Sequence, residues 1–152
     1  MVHHTAESNS YSCADAPKVV RGIYAYHVKQ LGWKGIGYNF VVDKCGTVYE
    51  GRNGGVGRSV MGAHAYGFNA ETTGISVLGT YTYTDAAPSQ VAMTSVARIA
   101  AWKLGQYGVN LAGTTTRSST ATATATTPSA PAMPSTASWP RSAAGPPARS
   151  PA

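Results

Sequence analysis

The sequence predicts an α/β fold, with a central mixed β-sheet flanked by helices. Two observations lead to this prediction. Short runs rich in β-branched and aromatic residues alternate with longer segments whose apolar residues recur at helical spacing. Strands and helices that alternate in this way bury their apolar surfaces best as a sheet with helices packed on its faces. We therefore expect that layered arrangement.

The first predicted helix spans residues 16–31. Asp15 precedes it as a cap, and Pro17 falls in its first turn, where proline is well tolerated. Its apolar face is expected to consist of Val19, Val20, Ile23, Tyr24, His27 and Leu31.

A β-hairpin is predicted next. Residues 38–43 and 47–51 are two β-rich runs around a short turn that contains Gly46. A further strand is predicted over 73–82, and a second helix over 88–107 that Gly108 ends. The expected buried face of this helix consists of Val91, Ala92, Val96, Ile99, Ala100 and Leu104.

The composition changes abruptly near residue 113. Residues 1–113 have a globular composition and suffice for one domain with a single core. Residues 114–152 are almost entirely Thr, Ser, Ala, Pro and Arg, which predicts a disordered tail. No apolar run is long enough to span a bilayer, and no signal peptide precedes Val2. Because Met1 directly precedes a predicted strand, we expect an N-terminally truncated gene model.

The formal net charge of +6 is spread without any Lys/Arg run. A mild basic excess would favour an anionic partner such as a cell wall or nucleic acid. Because no segment concentrates the charge, we expect no nucleic-acid partner. Separately, we expect the protein to be a monomer.

Two cysteines, Cys13 and Cys45, lie 32 positions apart, which is too far for a compact metal site. They either form one disulfide or remain buried free thiols, and spacing alone leaves both possibilities open. A disulfide would stabilise the fold by about 3–4 kcal/mol and would indicate an oxidising compartment.

Two adjacent histidines, His3 and His4, lie at the end of a predicted buried strand. Because side chains alternate along a strand, at most one of them faces a given site. A strand fixes an imidazole rigidly, so one histidine is a candidate metal ligand; ordinary half-buried histidines are the alternative.

Six stretches of the chain together resemble the peptidoglycan recognition and amidase type 2 family. In order, they are Val2-His3-His4-Thr5-Ala6, Gly32-Trp33, Gly37-Tyr38-Asn39-Phe40, Gly46-Thr47-Val48-Tyr49-Glu50-Gly51-Arg52, Gly62-Ala63-His64-Ala65 and Gly67-Phe68-Asn69. The surroundings of Cys13 and Cys45 resemble the secreted bacterial branch of the family, which supports the disulfide and a secreted, extracellular location.

The resemblance implies zinc-dependent hydrolysis of the amide between N-acetylmuramic acid and L-alanine in peptidoglycan. His3 would be a ligand of one Zn²⁺, and Tyr38 would be the catalytic tyrosine that contacts the zinc-bound water or the reacting carbonyl. His64 would line the groove for the muramyl peptide.

Several of these residues have a simpler structural interpretation. Tyr38 lies in an alternating pattern typical of a packed aromatic residue. Arg52 and Asn69 either contact saccharide or peptide, or serve as caps and turn residues. His27 is expected in the core, or behind a ligand as its support, whereas the loop position of His64 favours a functional role.

The second histidine and the cysteine ligand of the family are missing. They come late, in stretches like Gly-His-Arg-Asp and Cys-Pro-Gly, and no His or Cys follows residue 113. Read in a neighbouring frame, 121–125 and 128–135 are compatible with those stretches, which places Thr122 and Ala130 at the lost ligands. We therefore expect a frameshifted tail, and a non-catalytic peptidoglycan-binding module as the alternative to hydrolysis.

Overall fold

A computed structural model describes residues 1–82 and 86–109 of the chain. Its elements are β1 (Val2–His4), α1 (Ala16–Ala25), β2 (Phe40–Val42), β3 (Val48–Glu50), β4 (Ile75–Val77) and α2 (Gln90–Gln106). The predicted tail, with Thr122 and Ala130, lies outside the described residues.

The strands form one four-stranded mixed sheet in the order β1-β4-β2-β3. Strand β4 pairs in parallel with β1 and with β2, whereas β2 and β3 form the predicted antiparallel hairpin. The register aligns one row of side chains across the sheet, namely His3, Ser76, Val41 and Tyr49. Since side chains at aligned positions share a face, this row lies on one side of the sheet.

A helix packs on each face, as the sequence predicts. The core on one face joins α1 to Val41 and Tyr49 of the sheet row, through Val20 and Ile23 of the helix. The core on the other face joins α2 to the alternate strand residues Phe40, Val42, Ile75 and Val77. Burying one such side chain completely stabilises the fold by roughly 1.5–3 kcal/mol, so the two cores fix the helices and the sheet relative to each other.

Helix α1 ends differently from the prediction. After Ala25 the chain widens into a π-helical turn, Tyr26–Gln30, and Gly32 then adopts a φ of 68°. The wider turn rotates the following residues away from the α-helical face, so Leu31 is 42% exposed. Asp15 occupies the cap position, but its carboxylate accepts a hydrogen bond from Ser12 and caps no backbone amide.

The hairpin turn is organised by Asp43, which is fully buried. Its Oδ1 accepts from the backbone N–H groups of Cys45 and Thr47, and its Oδ2 accepts from the hydroxyl of Tyr49 at 2.9 Å. This turn therefore presents Cys45 at a fixed position. Cys45 forms the predicted disulfide with Cys13, and their Cα atoms are 6.1 Å apart.

Helix α2 begins and ends near the predicted positions. The Ser89 hydroxyl accepts from the N–H of Ala92, and Gly108, with a φ of 68°, ends the helix. The N–H of Gly108 donates to Gly105 and that of Val109 to Leu104, which is a Schellman arrangement.

The buried face of α2 consists of Ala92, Val96, Ile99 and Lys103. Val91 was expected on that face but is 57% exposed. The face is centred on the neighbouring Ala92, and the Val91 side chain lies instead against Gly46 of the hairpin turn.

Two strands also differ from expectation. Strand β1 lies at an edge of the sheet and Val2 is 56% exposed, so the strand is not fully buried. Strand β4 covers only three of the residues predicted over 73–82, because the chain turns at Gly79, whose φ is 123°. Among the residues described, no helix is both long and apolar enough to cross a membrane.

Candidate functional site

Three residues singled out in the sequence, His3, Tyr38 and His64, come together on the α1 side of the sheet. His3 Nε2 lies 3.1 Å from His64 Nδ1, although 61 positions separate them. The ring centroids of His3 and Tyr38 are 5.6 Å apart, and those of His3 and His64 are 5.1 Å apart. All three side chains are only half-buried. They therefore form a group of hydrogen-bonding rings that a ligand can reach.

The ring of His64 lies between two glycines. A Cβ built on Gly62 would be 2.7 Å from His64 Cδ2, and one built on Gly74 would overlap the same ring, at 2.8 Å from Nε2. Distances under 3.0 Å are essentially absent between real Cβ atoms and their neighbours, so no larger residue fits at either position without movement of the ring.

Asn69 shapes the loop that carries His64. Its side-chain Oδ1 accepts hydrogen bonds from the backbone N–H groups of His64 and Ala65, at 2.8 and 2.9 Å. This contact matches the turn role that the sequence left open for Asn69, because an asparagine side chain often bonds nearby backbone in this way. A contact between Asn69 and saccharide or peptide stays a prediction.

Asn39, the residue after Tyr38, lies beneath the site and is 8% exposed. Its Oδ1 accepts from the N–H of Gly74 at 2.8 Å, and its Nδ2 donates to the carbonyl of Val60 at 2.6 Å. One buried side chain thus connects the loop before His64 to the start of strand β4.

His27 lies in the core beside the site, as expected. It is 9% exposed, its Nδ1 accepts from the N–H of Gly37 at 3.3 Å, and its ring is 6.1 Å from that of Tyr38. Burial, and secondarily the charge of Arg52, lower the pKa of His27 below the ordinary histidine value of 6.5. Only the neutral ring can accept the hydrogen bond from the Gly37 N–H, because both nitrogens of a protonated imidazole are donors.

Stability is expected to fall in acid partly through His27. Because the pKa is lower in the folded than in the unfolded chain, the unfolded chain binds more protons below about pH 6.5, and the free energy of unfolding decreases as the pH falls. His27→Asn keeps an acceptor and removes the titration. The free energy of unfolding, measured by urea denaturation between pH 7 and 5, should therefore fall less steeply with decreasing pH in the variant. The difference in slope is up to about 1.4 kcal/mol per pH unit. Equal slopes would contradict this role.

The pKa values of His3 and His64 are also lowered. Burial is the main cause of both shifts. The second cause is the charge of the terminal amine in the case of His3, and the charge of His3 in the case of His64. Both rings are thus favoured in the neutral form, in which one nitrogen donates and the other accepts. Of the two nitrogens that face each other, one therefore donates and the other accepts.

Three buried polar side-chain atoms of the described residues have no hydrogen-bond partner. They are Arg52 Nη1, His64 Nε2 and Ser76 Oγ. Ser76 is the register neighbour of His3, and the N–H of Arg52 donates to the carbonyl of Tyr38. An unpaired buried polar group costs roughly 1–3 kcal/mol, so each of these atoms needs an explanation, and a ligand would supply one.

The described residues do not provide a complete zinc site. A catalytic zinc site takes three protein ligands and one open position. His3 and His64 supply two adjacent nitrogens, but no group of three His, Cys, Asp or Glu side chains that would hold a metal occurs in 1–82 and 86–109. Both cysteines are in the disulfide.

A family model described as N-acetylmuramoyl-L-alanine amidase matches residues 1–131, which is most of the chain. The chain belongs to this amidase family. A curated relative, peptidoglycan-recognition protein SC1a/b of Drosophila simulans, is 42% identical over 91 residues, covering 60% of this chain and 47% of the relative. The chain thus spans about half the length of the curated relatives it matches.

Two similar proteins of known structure share the fold. Peptidoglycan recognition protein-LE, solved with tracheal cytotoxin, is 29% identical with a TM-score of 0.62, and the match covers 72% of this chain and 61% of that one. The amidase LysC from Clostridium intestinale URNW is 31% identical with a TM-score of 0.56, over 71% and 62% of the two chains. Both a peptidoglycan recognition protein and an amidase thus resemble this chain.

The sequence indicates His3, Tyr38 and His64 as separate candidates, but it does not indicate the residues that position them. Asn39 appeared only as a member of a motif, and Gly74 only as part of a strand. The signal available in the sequence was the run of glycines on either side of His64, which indicates close packing but does not name the side chain that is packed.

Proposed function

We propose that this chain binds peptidoglycan fragments of the muramyl-peptide type in a groove that contains His3, Tyr38 and His64, without hydrolysing them. The observation that carries the proposal is the 3.1 Å pair of His3 and His64 beside Tyr38, in a family with relatives that are peptidoglycan recognition proteins. A solved relative carries a monomeric diaminopimelic acid-type peptidoglycan. Neutral imidazoles and a phenol suit the hydroxyl, amide and carbonyl groups of such a ligand.

Arg52 supports an acidic ligand. Its Nη1 is buried without a partner among the described residues, and a guanidinium binds carboxylates through paired hydrogen bonds. Muramyl peptides carry carboxylates on their stem. We propose that a small movement of Arg52 brings its guanidinium into contact with one of them, so that ligand binding supplies the missing partner.

Zinc-dependent hydrolysis of the amide between N-acetylmuramic acid and L-alanine is the second candidate. It is favoured by the spacing of His3 Nε2 and His64 Nδ1, two imidazole nitrogens placed as neighbours, and by the likeness to an amidase of Clostridium intestinale. It requires further ligands that the described residues do not supply. Tyr38 would then be the residue closest to the reacting carbonyl.

One experiment separates the two functions. The purified full chain is incubated with insoluble peptidoglycan and with soluble muramyl peptide, with added zinc and with a chelator. We expect co-sedimentation and saturable binding under both conditions, and no release of stem peptides, because the described residues do not complete a zinc site.

Each outcome has a clear meaning. Release of stem peptides only when zinc is present would replace binding by hydrolysis as the function. Failure both to bind and to release peptides would contradict both candidates. The variant His3→Ala is the matched control, because it removes a residue that both candidates need and should abolish either signal.

The disulfide Cys13–Cys45 supports a proposal about location. Disulfides persist in oxidising environments, so we propose that the protein acts outside the cytoplasm, where peptidoglycan is also found. We further propose that it acts as a monomer, with muramyl peptide as its partner.

A further inference from the structure

Asn39 is a buried polar residue that contacts the loop before His64. It lies before β2 and is 8% exposed, and both ends of its side-chain amide are hydrogen-bonded. Oδ1 accepts from Gly74 N–H at 2.8 Å, and Nδ2 donates to the Val60 carbonyl at 2.6 Å. The Asn39 backbone N–H donates to Gly74 as well, at 2.9 Å. The residue thus connects two chain segments that are otherwise remote in sequence.

Those two segments are the walls around His64. Val60 precedes Gly62 in the same loop, and a Cβ on Gly62 would lie 2.7 Å from His64 Cδ2 and 3.1 Å from Asn39 Oδ1. Gly74 contacts the same ring at the start of β4. The Asn39 side chain bridges the two walls, beside backbone hydrogen bonds from the N–H of Ala63 to Gly37 and from the N–H of Asn39 to Gly74.

We propose that Asn39 is the positioning residue for His64: its amide sets the spacing of Gly62 and Gly74 and thereby directs His64 Nδ1 towards His3. The consequence for ligand binding rests on the proposed function of the His3–His64 pair. The consequence for the ring orientation does not, because it concerns the free protein.

Only asparagine suits both contacts. The bridge needs an acceptor towards Gly74 and a donor towards Val60 at one short side-chain end. Aspartate keeps the acceptor but faces the Val60 carbonyl with an oxygen, and leucine has a similar size but neither group. Asn39→Asp therefore breaks one side-chain contact and Asn39→Leu breaks both, while the backbone hydrogen bond to Gly74 is kept in each variant.

The test measures His64 directly in the free, metal-free protein. The ring nitrogen and carbon chemical shifts of His64 are recorded at one pH above the ordinary histidine pKa, for wild type, Asn39→Leu and Asn39→Asp. We expect the largest shift changes in Asn39→Leu and smaller ones in Asn39→Asp. Affinity for soluble muramyl peptide should fall about tenfold for Asn39→Leu, and less for Asn39→Asp.

A matched control separates positioning from loss of stability. Tyr49→Phe removes another buried hydrogen bond, the one to Asp43, away from His64. It should lower the melting temperature while leaving the His64 shifts and the affinity within about twofold of wild type. If Asn39→Leu does not fold, Asn39→Asp carries the test.

Unchanged His64 shifts in the folded Asn39 variants would overturn the positioning role. Shifts that change equally in Tyr49→Phe would overturn it too, since a general loss of packing would then explain them. The third outcome is that the His64 shifts change in the Asn39 variants but the wild-type protein binds no muramyl peptide. It would confirm the positioning role and contradict only the proposed function.

Discussion

His64→Ala is expected to weaken binding of muramyl peptide about 30-fold, or ~2 kcal/mol, the effect of removing a central contact residue. The ring is one half of the 3.1 Å pair with His3, and it fills the space between Gly62 and Gly74. Its loss removes a hydrogen-bonding group, leaves His3 without its partner and opens a gap in the groove. Isothermal titration calorimetry of the full chain with soluble muramyl peptide measures the change.

His4→Ala is the matched control for that substitution. His4 is the neighbour of His3 in β1, but its Nδ1 accepts from the N–H of Tyr81, and alternation directs it away from the His3 row. The control should lose some stability and keep its affinity within about twofold. Equal losses of affinity in His4→Ala and His64→Ala would show that the groove is not on the α1 side of the sheet.

Removal of the disulfide is expected to cost about 3–4 kcal/mol of stability, because the cross-link limits the freedom of the unfolded chain over a long loop. The bond joins the segment before α1 to the β2–β3 turn across a separation of 32 residues. Urea denaturation of the double variant Cys13→Ser with Cys45→Ser, compared with wild type, measures the loss. Since a small domain is stable by only about 5–15 kcal/mol, the change is a large fraction of the total.

Reductant provides the internal control for the disulfide. Added to wild type, it should lower the free energy of unfolding to the value of the double variant, and it should have no effect on the double variant. A loss below about 1 kcal/mol in the variant would mean that other contacts, such as the hydrogen bond from the Lys44 N–H to the Tyr11 hydroxyl, already hold the two segments together.

Much of the secondary structure follows from local sequence. The hairpin around Gly46, the start of α1 at Ala16 and the end of α2 before Gly108 depend on turn residues, proline and glycine whose preferences act over a few positions. The π-helical turn Tyr26–Gln30 was not predicted, since it requires contacts such as that between His27 and Gly37, which the sequence does not show. Propensities alone favour an α-helix there.

The side of α2 that is buried illustrates the same limit. Periodicity indicates an apolar stripe but tolerates an error of one position, which is about 100° around the helix. Val91 was therefore assigned to the core, whereas the sheet accepts Ala92 and Val91 packs against the hairpin turn. Lys103 is 7% exposed because its ammonium reaches the carbonyl of Arg58, a contact that no pattern in the helix predicts.

By itself, the sequence determined the fold class, the hairpin, the two helices and the candidate residues His3, Tyr38 and His64, because periodicity, turn chemistry and a multi-motif resemblance are all local properties of the chain. Only the tertiary structure decided that His3 meets His64 and that Asn39 connects the walls of the site. The physical reason is that hydrogen bonds between residues 21 to 61 positions apart depend on strand register and close packing, and these exist only once the whole sheet has formed.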